Sequence, residues 1–291
     1  MDARTRVRQF LARGTADRPP FLVMATEYTA RLAQRDPAEL LADPGLFVRS
    51  YTESVAVLGL EAVLIEVPPA LASGLIEVPP ALASGLIEVP PALASAGDPA
   101  ASGRAALREN LHRLRATLRD QIAIVALLPG PLTLAASLGV PVTPDSLDDL
   151  VTALISLQEY LGPAEFDALA LLERAAVADP EIPALADAAS AFWNVARYYS
   201  LPSLLIAAQG TPQLAAVGAT AVAAWEGVTA ADLLAAGATA AGQPPPSAQP
   251  PPSVPAPAPL PPGAFYLTPG EIPPDQPVDA VRSLLRQLPR A

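Results

Sequence analysis

Short apolar runs recur along the chain, and most of them follow a segment with helical periodicity. The first two are Phe21-Leu22-Val23-Met24 and Ala62-Val63-Leu64-Ile65, and further runs begin at positions 122, 166, 204, 219 and 264. Uninterrupted apolar runs of this kind are typical of strands that are buried on both faces, as in a parallel sheet covered by helices. The alternation of helices with such runs predicts an α/β fold with about seven strands.

The clearest predicted helix spans Arg104–Gln121. Its apolar stripe consists of Leu107, Leu111, Leu114 and Leu118. Its basic edge consists of Arg108, His112, Arg115 and Arg119. We weigh two interpretations of the basic edge, an anion-binding face and an ordinary helix side that covers apolar neighbours, and we favour the second.

The composition excludes several kinds of catalytic site. The 291 residues include no cysteine, a single histidine (His112) and 18 basic residues, all of them arginine. Thiolate zinc sites, cysteine nucleophiles, Schiff-base lysines and P-loop lysines are therefore absent. A Ser-His-Asp triad would have to use His112. The net charge of −11 argues against nucleic acid as a partner.

Two long windows without charged residues, Gln121–Pro144 and Tyr198–Trp225, raise the question of a membrane span. Both windows contain proline and glycine, which favour a strand, a turn and a helix over a continuous spanning helix. The first residues of the chain are charged and lack the apolar core of a signal peptide. We therefore expect a soluble, cytoplasmic protein that does not bind membranes.

Two low-complexity segments interrupt the pattern. The sequence LIEVPPALAS occurs three times within the tandem repeat 64–96, starting at Leu64, Leu75 and Leu86. Each copy contains a Pro-Pro pair that would break a helix, so we interpret the repeat as a duplication in which one copy belongs to the fold. Residues 243–262 contain eleven prolines. They predict a polyproline II linker, with recognition by a protein partner as the alternative.

Several segments, taken in order, resemble the uroporphyrinogen decarboxylase family, which includes corrinoid-dependent methyltransferases. They are an opening helix with Asp17-Arg18-Pro19-Pro20, then Gly59-Leu60-Glu61-Ala62-Val63, Gly130-Pro131-Leu132-Thr133-Leu134-Ala135, and finally Gly270-Glu271-Ile272-Pro273-Pro274-Asp275-Gln276-Pro277. The resemblance implies a single (β/α)8 TIM-barrel-like domain over residues 1–291, with a cleft at the carboxyl ends of the strands. The Pro-rich insertion adds the alternative of an incomplete barrel.

The decarboxylase branch of the family holds a polycarboxylate tetrapyrrole with arginines that follow the first strand. In this chain the corresponding stretch contains Glu27 and Tyr28, and the nearest arginine is Arg31. The branch also has an aspartate after the second strand, at a position that reads Pro68 here, with Glu66 two residues earlier.

The methyltransferase branch binds zinc through one histidine and two cysteines. By resemblance, the three ligand positions read Ala207, Gln209 and Gly270 in this chain. None of these side chains replaces the missing ligands, so we expect no metal and no other cofactor.

The candidate cleft residues are Glu27, Tyr28, Arg31, Glu66, Thr133, Glu173, Arg174 and Glu271. We assign no catalytic residue among them, although Glu173 and Glu271 form one candidate acid–base pair. The resemblance implies a carboxy-lyase that decarboxylates a small carboxylate or a tetrapyrrole without a cofactor. The alternatives are a non-catalytic barrel that acts as a binding or assembly partner and, less favoured, a corrinoid-dependent methyltransferase. A homodimer is a further hypothesis.

Overall fold

The computed structural model describes residues 1–73, 75, 99–174, 177–244, 260–272 and 275–287. Eight parallel strands form a closed barrel in chain order, and the last strand pairs with the first. The strands are β1 (Phe21–Met24), β2 (Ala62–Glu66), β3 (Ala123–Pro129), β4 (Ala168–Glu173), β5 (Ser203–Gln209), β6 (Ala221–Glu226), β7 (Ala240–Gln243) and β8 (Ala264–Glu271). The predicted (β/α)8 barrel is confirmed, and the alternative of an incomplete barrel is wrong.

Helices surround this barrel. They are α1 (Ala3–Arg13), α2 (Thr26–Leu32), α3 (Pro37–Ala42), α4 (Pro44–Leu58), α5 (Pro69–Ser73), α6 (Pro99–Leu118), α7 (Pro131–Leu138), α8 (Pro144–Leu161), α9 (Ile182–Tyr198), α10 (Ala230–Ala235) and α11 (Val278–Gln287). In the part of the chain that is described, no helix combines the length and the hydrophobicity needed to cross a bilayer.

The strand side chains alternate between the barrel lumen and the layer beneath the helices. On β4 the even-numbered residues from 168 to 172 fill the lumen, whereas Leu169 and Leu171 pack in the helix layer. Helix α1 closes the amino-terminal end of the lumen with Phe10, whose ring meets Phe265 edge-on at 6.1 Å between centroids. Because successive side chains on a strand point to opposite faces, this alternation assigns a face to each strand residue.

Strand β7 is the one that the sequence pattern does not predict. Its four residues, Ala240–Gln243, include no β-branched or aromatic side chain. A β-carbon at Gly242 would lie 2.7 Å from the β-carbon of Ala223 and from the ring of Phe265. The space available in the lumen therefore selects glycine here, against its low strand propensity.

The first copy of the tandem repeat is part of the barrel. It supplies the end of β2 and the short helix α5, in which Ala72 is fully buried. Apart from Leu75, the second and third copies lie outside the described residues, and so does the stretch 245–259 of the Pro-rich segment. That these stretches are insertions into the barrel stays a prediction.

A buried carboxylate ties the amino-terminal end of the barrel to two helices. Asp167 is fully buried just before β4, and its Oδ1 lies 2.5 Å from Nε of Arg4 on α1. Its Oδ2 accepts hydrogen bonds from Arg115 on α6 and, at 2.9 Å, from the amide of Ile124. Arg4 also pairs with Asp120, whose side chain is mostly exposed.

We expect Asp167→Asn to lower the free energy of unfolding by about 2–4 kcal/mol, because it removes the buried charge that both arginines face. Asp120→Asn is the matched control on the same arginine, and it should cost less than about 1 kcal/mol because that pair is exposed. Urea unfolding of both variants measures the difference. Equal losses would contradict the structural role of Asp167.

Candidate functional site

Three lumen-facing residues form a row at the carboxyl-terminal mouth of the barrel. The strand register pairs the last residue of β4 with Ala207, and Ala207 with Ala224. The next position continues the lumen-facing alternation of β5 at Ala208 and of β6 at Trp225, and it falls on Arg174 directly after the end of β4. Active sites of such barrels lie at this end, which makes the row the natural starting point of a site.

Arg174 presents a guanidinium group at this mouth. Its Nη2 donates a hydrogen bond to Oε1 of Glu66 at 2.5 Å, and 49% of the arginine side chain is exposed. Glu66 stands at the end of β2 and is 25% exposed. The crevice beside this pair, lined also by Pro69 and Thr133, has a volume of about 10 Å³, which is room for about one water molecule. Among the described residues, Glu66 is the partner of the guanidinium group, and its other donors are open to an anion.

Glu173 faces away from the lumen. It follows Leu169 and Leu171 on the helix-facing side of β4, and it is fully buried. Its carboxylate accepts hydrogen bonds from the amides of Leu132 at 3.1 Å and Thr133 at 2.8 Å, and from the Thr133 hydroxyl at 2.8 Å. Glu173 therefore caps the first turn of α7, where free amides and the helix dipole favour a negative charge.

The fit between Glu173 and α7 depends on the glycine of the Gly-Pro-Leu-Thr-Leu segment. A β-carbon on Gly130 would overlap the carboxyl group of Glu173. The Thr133 hydroxyl also accepts a hydrogen bond from the amide of Arg174 at 2.8 Å. The same contact that caps α7 thus fixes the backbone from which Arg174 extends.

Burial raises the pKa of Glu173 to about 7, although the hydrogen bonds from Thr133 and Leu132 favour the ionised form. A carboxyl group with such a pKa is a common feature of acid–base catalysts. Here the three groups that donate hydrogen bonds to the Glu173 carboxylate lie on the outer, helix-facing side of β4. The structure also does not bring it next to Glu271, because β4 and β8 stand on opposite sides of the barrel.

Tyr28 and Arg31 contact the carboxyl-terminal segment of the chain. The Tyr28 hydroxyl donates to the carbonyl oxygen of Gln276 at 3.2 Å, and Nη1 of Arg31 donates to the same oxygen at 2.9 Å. The guanidinium of Arg31 lies 5.4 Å from the centre of the Tyr28 ring. Both residues therefore hold the segment before α11 against α2.

Two further candidates lie at the same end of the barrel. Glu27 is exposed in the first turn of α2, directly after β1. Glu271 is the last residue of β8 and stands in register with Met24 of β1.

The basic edge of α6 packs against neighbouring elements. Arg115 binds Asp167 and the carbonyl oxygen of Glu165, and only 11% of its side chain is exposed. The guanidinium of Arg108 lies 5.5 Å from the centre of the Tyr160 ring. Nδ1 of His112 lies 2.9 Å from Oε1 of Glu165, and this hydrogen bond raises the pKa of the histidine. These contacts favour the interpretation of the edge as a packed helix side.

Two of the positions that the resemblance aligns with zinc ligands, Ala207 and Gln209, lie on β5. Ala207 is buried in the helix layer, and the side chain of Gln209 donates to Oε2 of Glu226 at 3.2 Å. Within the described residues, no group of three or more histidine, cysteine, aspartate and glutamate side chains is placed to hold a metal ion.

Sequence reasoning does not select Trp225. Its indole ring packs against the apolar side chains that fill the barrel lumen. Its Nε1 is buried and has no hydrogen-bond partner in the described part of the chain. The signal in the sequence is a tryptophan followed by a glutamate and a glycine at the end of an alanine-rich strand. Trp225 becomes a candidate site residue only when the register shows that it lies in one row with Arg174.

Comparison with known proteins identifies the fold. No protein-family model matches the chain, and no curated protein matches its sequence. A methyltransferase from Methanosarcina mazei matches with a TM-score of 0.60 over 99% of this chain and 98% of that chain, at 17% identity. A structure of the pneumococcal virulence factor StrH gives a TM-score of 0.50 over 97% of this chain and 84% of that chain, at 9% identity. At these identities, function has to be argued from the site.

The pKa of Glu173 predicts a pH-dependent stability. Between about pH 4.5 and pH 7 the folded protein keeps a proton on Glu173 that the unfolded chain has lost, so the free energy of unfolding falls as the pH rises. The decrease due to this group is on the order of 3 kcal/mol. Glu173→Gln removes it, so the variant should gain stability relative to the wild type as the pH rises. Urea unfolding at pH 5 and pH 8 tests this, and an equal difference at both pH values would contradict it.

Proposed function

We propose that this barrel is a divergent uroporphyrinogen decarboxylase-like protein that binds a small carboxylated molecule, either a tetrapyrrole or a smaller acid, at its carboxyl-terminal mouth. The observation that carries the proposal is the half-exposed guanidinium of Arg174 at the lumen side of β4. A guanidinium fork matches the two oxygens of a carboxylate and remains charged at every physiological pH.

The position of Arg174 supports its role as an anchor. Its amide is held by Thr133, and Thr133 is held by the buried Glu173, so two hydrogen bonds fix the backbone at the anchor, directly after the end of β4. A backbone that is already fixed lowers the entropy that the site loses when it binds a ligand. The Gly-Pro-Leu-Thr-Leu segment, on which the family resemblance partly rests, builds this support.

Glu66 sets the affinity of the anchor. Its carboxylate occupies Nη2 of the Arg174 guanidinium, so an incoming carboxylate either shares the arginine with Glu66 or displaces it. The overall charge of −11 also opposes the approach of a polyanion. Both features favour ligands with one or a few carboxylates over ligands with many.

A non-catalytic barrel is the second candidate function, and a specific observation favours it. Glu173 and Thr133 serve α7, and Tyr28 and Arg31 serve the segment before α11. These candidate residues thus have structural partners instead of facing one another across a cleft. Such a barrel would bind the same ligand and leave it unchanged. The methyltransferase found among the structural neighbours adds methyl transfer as a third and weaker candidate.

Substitution of Arg174 tests the binding site. We expect Arg174→Gln to weaken the binding of coproporphyrin or succinate by about 10- to 100-fold, because a charge-assisted hydrogen bond is lost. Glu66→Gln should strengthen binding by up to about fivefold, because it releases the arginine. Isothermal titration calorimetry measures both effects.

Arg197→Gln is the control for this experiment, since Arg197 is exposed on α9 and bonds to Asn194. It should leave the affinity unchanged. Equal losses in the Arg174 and Arg197 variants would reject the proposed site. If the Arg174 variant alone loses affinity, release of carbon dioxide from the bound ligand distinguishes a decarboxylase from a non-catalytic barrel.

A further inference from the structure

The two tryptophans of the chain differ in how their indole N–H groups are satisfied. Nε1 of Trp193, in the helix layer, donates to the carbonyl oxygen of Val217 at 3.0 Å. Nε1 of Trp225 is equally withdrawn from solvent, yet it has no acceptor among the described residues. Buried indole N–H groups usually find a partner, because an unpaired buried donor costs about 1–3 kcal/mol.

The tryptophan that carries the unpaired donor lies at the mouth of the barrel. Trp225 follows Ala221 and Ala223 on the lumen side of β6, and its ring is partly exposed. The register places it two strands from Arg174, which corresponds to about 10 Å between the two backbones. Ala208, on the strand between them, contributes only a methyl group. The row therefore has a cation at one end, an apolar floor in the middle and an indole at the other end.

We infer that Trp225 is a ligand-contacting residue that selects a flat carboxylic acid carrying a second hydrogen-bond acceptor. This inference rests on the proposed function, because it takes Arg174 as the anchor of the carboxylate. The planar apolar body of the ligand lies over Ala208 and against the indole ring. Its second acceptor, a carbonyl or carboxylate oxygen, receives the hydrogen bond from Nε1 of Trp225 once the indole turns, because that nitrogen is closed to solvent in the unliganded protein.

The charge and shape of the row determine this ligand class. Arg174 is the cation of the row, so one carboxylate is sufficient for the ionic contact. An indole ring offers a large flat surface, which favours aromatic or conjugated ligands over flexible chains. A site built to donate a hydrogen bond also discriminates against ligands that lack the acceptor, because its own donor would stay unpaired.

A pair of probes with the same charge and nearly the same shape tests the inference. The probes are 4-acetylbenzoate, which carries a carbonyl acceptor, and 4-isopropylbenzoate, which lacks it. We expect the wild-type protein to bind 4-acetylbenzoate about five- to tenfold more tightly, as measured by isothermal titration calorimetry. Trp225→Phe keeps an aromatic ring but removes the N–H, and it should abolish this preference. Trp193→Phe is the matched control and should retain it.

The indole N–H resonances of the two tryptophans give a second readout. Addition of 4-acetylbenzoate should move the Trp225 signal and leave the Trp193 signal in place. A preference that survives in Trp225→Phe, or an unmoved Trp225 signal at saturation, would overturn the inference. If Arg174→Gln still weakens both probes in that case, the proposed function stands without the role of Trp225. If neither probe binds the wild-type protein, the inference falls, and the proposed carboxylate site falls with it only if coproporphyrin and succinate also fail to bind.

Discussion

The closure of eight parallel strands is the constraint on which the other features of the structure depend. Every strand is covered on both faces, so each side chain belongs either to the lumen or to the layer beneath the helices. The alternation places Arg174 and Trp225 at the mouth and turns their neighbour Glu173 outward. A difference of one position at the end of β4 therefore separates the proposed ligand anchor, Arg174, from a structural carboxylate, Glu173.

Glu173 shows how a site residue and a support residue can look alike in sequence. Both it and Arg174 are charged residues at the end of an apolar strand, which is typical of catalytic residues in barrels. The structure distinguishes them by their partners, since Glu173 meets the first turn of α7 and Arg174 meets Glu66. Thr133 connects the two through its hydroxyl group, which donates to Glu173 and accepts from the amide of Arg174. The buried Glu173 therefore helps to fix the backbone of Arg174.

The barrel was predictable from the sequence because seven of its strands are apolar runs that stand out from the helices between them. Strand β7 was not, since two alanines, a glycine and a glutamine carry no strand signal. The demand for glycine arises from Ala223 and Phe265, its partners on the neighbouring strands β6 and β8. Among site residues, charge and strand position selected Arg174, and the family resemblance selected Glu66. Trp225 required the register of β4, β5 and β6, which is set by long-range pairing that local sequence does not encode.

The central claim is that a carboxylate ligand binds Arg174 at the mouth of the barrel. The most direct test follows the arginine side-chain Nε–H resonances during a titration with coproporphyrin. The account predicts that the Arg174 signal changes most, because the ligand replaces or shares the contact with Glu66. A titration in which Arg174 stays constant, while Arg31 or the arginines of α1 respond, would contradict it.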